Sequence, residues 1–174
     1  LYSPNNEYAV SIFENVKNAG NLDYVSCWYK KAADYMAHNS VRTALVSTNS
    51  ITQGEQVAIL WKPLFEHGVH IDFAHRTFRW DSEASIKAHV HCVIIGFSKT
   101  ATKQKYIFES EQAQPVTNIN PYLIEASDVI VGSRNKPLHN VPEIGIGNKP
   151  IDDRNYLCKP AEKDEFVNKE TQSE

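Results

Sequence analysis

The chain has 174 residues, of which 41% are hydrophobic, 22% charged and 10% aromatic, the balance of an ordinary globular domain. At roughly 100 to 200 residues per domain, that length fits one domain or one plus the start of another, and the composition excludes a disordered, collagen-like or disulfide-scaffold chain. Lys and Arg number 18 against 21 Asp and Glu, a net charge of −3. This lacks the basic surplus of a free-standing nucleic-acid binder, so any contact with DNA must draw most of its positive charge from elsewhere.

Apolar runs such as Cys92 to Ile95 and Val129 to Val131 fall far short of the roughly 18 residues that cross a bilayer, and no membrane partner is expected. Leu1 stands where Met would begin a gene product, and Tyr2 to Asn6 have neither the charged nor the apolar part of a signal peptide, the look of an excised piece. Cys27, Cys92 and Cys158 are widely spaced and form no Cys-x-x-Cys pair, which argues against a disulfide framework or a thiolate zinc site. A reducing, cytoplasmic setting is the simplest expectation.

Leu22, Val25, Trp28, Tyr29, Ala32, Ala33 and Met36 recur at three- and four-residue intervals and predict an amphipathic helix from Leu22 to Asn39, with Asn21 as its N-cap. Val41 to Thr48 is short, β-branched and largely apolar, as a strand buried on both faces should be. Gln56 to His67 returns to helical spacing, bent or divided by Pro63 and ended by Gly68. Val69 to Ala74 reads as a strand with Ile71 and Phe73 on one face, and Ala88 to Ser98 as the strongest strand of the chain. The polar, aromatic Arg76 to Lys87 stretch between them predicts a loop, and two strands joined without a long helix predict an antiparallel pair.

Lys105 to Glu109 could add an edge strand, and Asn118 to Ile124 and Val129 to Val131 read as short extended segments. Prolines and glycines between Pro137 and Pro150 punctuate a boundary, after which Pro160 to Lys169 predicts a charged helix with proline in its first turn. The order helix, strand, helix, strand, strand is an α/β pattern that looks like half of a larger sheet. No G-x-G-x-x-G or Walker string is present, and Gly145 and Gly147 lead into Pro150 instead of a helix, so a dinucleotide reading is poor.

Six strings occur in order: LDYVSCWYKKAADYM from Leu22, ALVSTNSITQGEQV from Ala44, FAHRTFRWDSEA from Phe73, HVHCVIIGFS from His89, NINPYL from Asn118 and GNKPIDD from Gly147. Together they resemble the MmeI-like adenine-specific DNA methyltransferases over roughly Asn18 to Asp153. The resemblance implies transfer of a methyl group from S-adenosylmethionine to the amino group of an adenine flipped out of double-stranded DNA, often beside restriction and target-recognition modules. It also implies a seven-stranded sheet ending in an antiparallel pair. On that basis Leu22 to Asn39 resembles the helix after the fourth strand, Val41 to Thr48 the fifth strand, and the pair beyond Gly68 the sixth and seventh.

The family's glycine-rich cofactor turn and its Asn-Pro-Pro-Tyr or Asn-Pro-Pro-Phe motif both precede that helix, and neither occurs here. Asn120-Pro121-Tyr122 lacks the second proline and follows the last strands, which gives it a linking role. The expected fold is therefore α/β, the C-terminal half of a Rossmann-like methyltransferase sheet with a loop-rich extension. Residues 1–20 form an N-terminal segment, 21–135 the catalytic-domain part, and 136–174 a linker and the start of a target-recognition region. Alone the chain is expected to be inactive, with no catalytic or cofactor-binding residue of its own and the remaining half of the catalytic domain as its partner.

Amino methylation needs an aromatic surface against the extruded base, since unstacking costs a few kcal/mol that stacking partly repays. The family pattern makes Trp80 the first candidate and Phe78 the second; the alternative is that either packs on Phe73 or Phe97 as core. His75, Arg76, Arg79 and Lys87 place positive charge around that aromatic stretch for phosphate contacts, with Arg76 foremost and Arg134 and Lys136 weaker versions. Asn49 and Gln53 follow the C-terminal end of a central strand, where ligands of open α/β sheets gather. Equally, Asn49 or Thr52 could cap the next helix.

His89 and His91 share a strand face but no third metal ligand is marked, and Cys27 and Cys92 read as small core residues. The alternative function is a noncatalytic DNA-docking or protein-interaction module of the same ancestry. A thiol or metal enzyme is disfavoured by the absent spacing. The edge beside Val41 to Thr48 is expected to be unpaired and to invite dimerisation.

Overall fold

Among the described residues of the first 133, apolar residues at helical spacing make helices α1 (Pro4–Ile12), α2 (Ser26–Tyr35) and α3 (Gly54–Glu66), with 3-10 turns at Ala19–Asn21, Met36–His38 and Asn49–Thr52. The described strands are β1 (Thr43–Thr48), β2 (His70–Asp81), β3 (His89–Ser98), β4 (Lys105–Glu109) and β5 (Gln112–Val116). This is a computed structural model, which describes residues 4–81, 89–134, 136–141, 159, 160, 162, 163 and 168. Lys87, Gly145, Gly147 and Cys158 lie outside the described residues, as does the side chain of His89. Leu1–Ser133 form one unit and Arg134–Glu174 another. In the second, the described residues Pro160, Glu162, Lys163 and Asn168 are helical. There the Lys159 backbone N–H donates to the Glu162 carboxylate at 2.8 Å, closing the first turn.

The sheet runs in the order β1-β3-β2-β4-β5. β3 is antiparallel to both β1 and β2, β4 is parallel to β2, and β5 turns back antiparallel on β4. The fold is thus α/β with the expected antiparallel pair after α3.

One face of the sheet carries the helices. Val93, Ile95 and Phe97 alternate along β3 and are fully buried, as residues pointing to one side of a strand must be if that side is covered. Tyr29 of α2 stacks on Phe97 with ring centroids 5.3 Å apart, and Trp61 of α3 meets Tyr29 edge-on at 5.6 Å. The Trp61 indole N–H donates to the Ile51 carbonyl at 3.0 Å, and the Tyr29 and Ser47 hydroxyls share a bond of 3.0 Å, so both buried polar tips are satisfied. Burial pushes the Tyr29 phenol up to about 12, with the Ser47 hydroxyl pulling it partly back. The N-terminal segment contributes to the same core through Ala9 of α1 and Phe13 just after it, which are buried.

The opposite face is bare. Register places on it Ala44, Val46 and Thr48 of β1, Val90, Cys92, Ile94 and Gly96 of β3, and Phe73, His75, Phe78 and Trp80 of β2. Tyr106 and Phe108 of β4 extend it. None of these side chains carries a fixed charge, yet Val46, Val90, Trp80 and Tyr106 are exposed. Among the described residues nothing covers them, and β1 is an unpaired edge.

Several expectations are corrected. β1 is not buried on both faces, because its outer edge and second face have no neighbour, and it alternates between covered and exposed. Trp28 points outward at 55% exposure while Cys27, Tyr29 and Ala33 face the core. Asn21 belongs to a 3-10 turn and its amide donates to Glu55 at 3.4 Å; α2 starts later, with no side-chain cap. α3 likewise has Gln53 at its N-cap position without a side-chain bond, while the Thr52 hydroxyl donates to the Asn49 carbonyl instead. Pro63 is accommodated inside a continuous α3.

Arg76 to Asp81 is strand, not loop, because β2 pairs with β3 as far as Asp81. Bulges between Ile71 and Phe73 and between His75 and Phe78 interrupt that pairing. The first sends Ile71 to the helix-covered face opposite Phe97 and Phe73 to the bare face opposite Gly96, so the two do not share a face. Asn118 to Ile124 folds into turns, and Val129 to Val131 joins no strand. β5 went unread because Gln112, Gln114 and Pro115 offer no apolar alternation, the chemistry of an edge strand.

α3 ends as its sequence dictates. Gly68 adopts φ +79° and donates to the Phe65 carbonyl at 2.9 Å, while Val69 donates to Leu64 at 3.0 Å, a Schellman cap that turns the chain into β2.

Candidate functional site

The aromatic candidates sit on β2 at the bare face. Trp80 is 53% exposed, opposite Val90. Its ring lies 6.3 Å from that of Phe78, which meets His75 edge-on at 5.1 Å. His75 is stacked against Phe108 at an interplanar angle of 4°, and Phe108 meets Phe73 edge-on. A row of rings therefore runs from Trp80 at the open end through Phe78 and His75 to β4. Neither candidate contacts Phe97, and Phe78 is the packed member of the pair while Trp80 is the presented one.

Both ring nitrogens of His75 face carbonyl oxygens: Nδ1 is 3.0 Å from the Arg76 oxygen and Nε2 is 3.0 Å from the Ser110 oxygen. A carbonyl only accepts, and a neutral imidazole carries one N–H, so it can donate to one of the two at a time. His75 thereby sits between the second bulge of β2 and the tight turn between β4 and β5, where Ser110 has φ +55°.

That bulge sets Arg76 and Thr77 between the paired positions His75 and Phe78 and turns both into a cleft. The cleft has a volume of about 400 Å³ and is lined by Thr52, Gln53, Arg76, Thr77, Glu109, Tyr122 and Leu123. Arg76 Nη1 stands 3.6 Å from the Glu109 carboxylate, with side chains 41% and 76% exposed. Tyr122 enters from the loop after β5. Its hydroxyl accepts the Val131 N–H at 3.1 Å, which fixes the ring.

Asn120 is spent on folding this loop. Its side-chain carbonyl accepts the Tyr122 N–H at 3.0 Å and the Ile124 N–H at 3.3 Å, and its own N–H donates to the Ile124 carbonyl. With 3% exposure it offers no acceptor to a ligand.

The structure thus divides the predicted residues. Gln53 and Arg76 meet in the cleft; Trp80, Phe78 and His75 line the bare face. Arg79 is exposed and pairs in register with His91 on the other side of the strand. Asn49 is half-buried in a turn whose neighbours Thr48 and Ser50 share a hydroxyl bond of 2.8 Å, and Ser50 is also bonded to Asp23. Arg134 and Lys136 are exposed residues of the second unit. Cys27 is buried, and desolvation pushes its thiol up against the opposing pull of Lys31, an unreactive setting. Among the described residues no three of His, Cys, Asp and Glu gather as metal ligands. No helix among them is long and apolar enough to cross a membrane.

Tyr122, Glu109, Thr77 and Phe108 were missed. Tyr122 stood in a string already singled out, and Phe108 in a strand already suspected, but only the parallel pairing of β4 with β2 brings Glu109 and Phe108 beside the aromatic row.

Residues 3–109 match the family described as MmeI, DNA-methyltransferase domain. The chain belongs to this MmeI DNA-methyltransferase domain family. It is 43% identical over 161 residues to DNA methyltransferase A of Bacillus subtilis (strain 168), covering 92% of this chain and 18% of that protein. It also superposes, with a TM-score of 0.84 and 47% identity, on the type IIL restriction-modification enzyme MmeI solved in complex with DNA. That match covers 99% of this chain and 24% of MmeI. The chain spans 18% and 24% of the length of these two relatives, and Trp80, Arg76 and Arg79 lie inside the family match.

Proposed function

We propose that the chain is part of an S-adenosylmethionine-dependent, adenine-specific DNA methyltransferase of a restriction-modification system in the cytoplasm, and that it supplies the base-side and DNA-facing elements. The observation that carries this reading is the placement of Trp80. Within a chain of the MmeI methyltransferase family, a large aromatic side chain is held half in solvent at the end of a row of rings. Exposing it costs apolar burial in the free protein, and an unstacked base would cover it.

The chain's part in the reaction follows from these positions. Trp80 receives the face of the extruded adenine, with Phe78 packed behind it to fix its angle. Arg76 and Arg79 hold the phosphates flanking the gap, with Lys87 given the same part from the sequence alone, and Gln53 and Asn49 present amides at the end of β1. His75 joins this group by holding the bulge that carries Arg76.

S-adenosylmethionine supplies the methyl group when bound, but the residues here do not make its seat. β1 runs directly into the Asn49–Thr52 turn, and among the described residues no glycine-rich turn follows a strand. The cofactor and the Asn-Pro-Pro motif are assigned to the remaining half of the catalytic domain. That half would continue the sheet from the free edge of β1 and cover its bare apolar face, and the isolated chain is inactive without it. Residues 136–174 lead into target recognition.

The test is to incubate the full-length protein with methyl-labelled S-adenosylmethionine and double-stranded DNA, digest the DNA and identify the labelled nucleoside. N6-methyladenosine in its deoxy form is the expected product; label in cytosine, or none in DNA, overturns the reading.

A further inference from the structure

We propose that the cleft between the β2 bulge and Tyr122 is a phosphodiester-binding site in which Glu109 occupies the place of the phosphate until DNA displaces it. The proposal rests on the DNA-binding reading above and adds a competing residue to it.

Donors converge on the cleft. Arg76, Gln53 and Thr77, each with a side-chain donor, line a volume of about 400 Å³ together with Thr52, whose hydroxyl is spent on the Asn49 carbonyl. A planar guanidinium suits two oxygens of one anion, whether carboxylate or phosphate. In the free protein the anion is the Glu109 carboxylate, standing 3.6 Å from Arg76 Nη1. That distance is beyond a direct hydrogen bond, and both side chains are well exposed, so the pair is weak and easily exchanged.

The backbone on both sides is held, because β2 and β4 are paired in parallel through His75 and Phe108, the residues that precede Arg76 and Glu109. Exchange is therefore a rotation of the Glu109 side chain away from a stationary Arg76, with no strand movement. A phosphodiester offers the same single negative charge and paired oxygens, and its neighbours along a duplex supply the binding energy that Glu109 lacks. Glu109 thus sets a threshold that a lone anion does not pass and a DNA strand does.

Anisotropy of a fluorescein-labelled duplex of mixed sequence, titrated with the full-length protein over a range of salt, tests this. Glu109→Gln is expected to tighten binding about two- to fivefold, the scale of one exposed ion pair. Arg76→Ala is expected to weaken binding and to reduce the magnitude of the salt slope by about one phosphate contact. In the Arg76→Ala background, Glu109→Gln is expected to change nothing further. Equal tightening by Glu109→Gln with and without Arg76 would show general charge repulsion and overturn the exchange, as would no tightening at all. Failure of the unaltered protein to bind the duplex would instead overturn the DNA reading itself. Thermal melts of each variant separate these outcomes from misfolding.

Discussion

Replacing Trp80 with alanine is expected to lower kcat/KM for methylation of duplex DNA by the full-length protein about ten- to a hundredfold, within the 1–3 kcal/mol that aromatic stacking on one base is worth. The ring stands at the open end of the aromatic row and packs on Phe78 alone among the described aromatic residues, so its removal leaves the sheet intact. Trp80→Phe is expected to retain most of the activity, since any aromatic face can stack. Phe78→Ala is expected to act mainly through Trp80, with a smaller loss, because Phe78 is held between His75 and Trp80. 2-Aminopurine at the target position gives an independent readout. Its fluorescence should rise on extrusion by every variant and be quenched less by Trp80→Ala. Unchanged kcat/KM in Trp80→Ala would remove the base-stacking role.

The second large effect concerns the fold beneath that site. Gly96 lies on the bare face opposite Phe73, and a Cβ built there would sit 2.1 Å from Phe73 Cε1 and 2.4 Å from Cδ1. No side chain fits at that distance while the ring stays where it is. Phe73 is itself braced edge-on by Phe108 at 6.2 Å. Gly96→Ala should therefore displace the ring and cost about 1–3 kcal/mol, the usual scale of overpacking. It should also disturb the row leading to Trp80. Differential melting of Gly96→Ala, with and without Phe73→Ala, measures this. The expected result is a lower melting temperature for the single Gly96 variant and a much smaller further loss once the ring is gone. Full additivity of the two changes would show that Phe73 is not what Gly96 accommodates.

How far the sequence reveals such features depends on whether they are local. α3 and its Gly68 cap were readable because helical spacing and a left-handed glycine are fixed by residues a few positions apart. β3 was readable because ten residues of β-branched and apolar character admit little else. The antiparallel pairing of β2 with β3 followed from the short connection between them. What escaped reading depends on partners far along the chain. Arg76 to Asp81 resembles a loop by composition, since Arg76, Thr77 and Arg79 break the apolar alternation, and it is a strand only because β3 pairs with it. Bulges leave no sequence mark here, yet one of them moves Phe73 to the face opposite Ile71 and another turns Arg76 into the cleft.

The candidate site was legible to the same extent. The aromatic and basic character of Phe78, Arg79 and Trp80 stands in one string, and the family resemblance added the expectation of stacking. The division of those residues between a bare face and a cleft could not be read, because it turns on β4 lying parallel beside β2. That single pairing brings Phe108 against His75 and Glu109 against Arg76. The bare face itself was foreshadowed only as an unpaired edge at β1. Its apolar character extends over four strands, and exposed patches of this kind ordinarily mark interaction surfaces.

On the proposed function, this chain carries the base side of the enzyme and none of its cofactor seat. Calorimetric titration with S-adenosylmethionine, with and without DNA, of the chain alone and of a longer protein extended upstream through the cofactor turn tests it most directly. Saturable binding by the longer protein and none by the chain alone is the expected result. Saturable binding by the chain alone would contradict it and would place a cofactor pocket among residues 1–174.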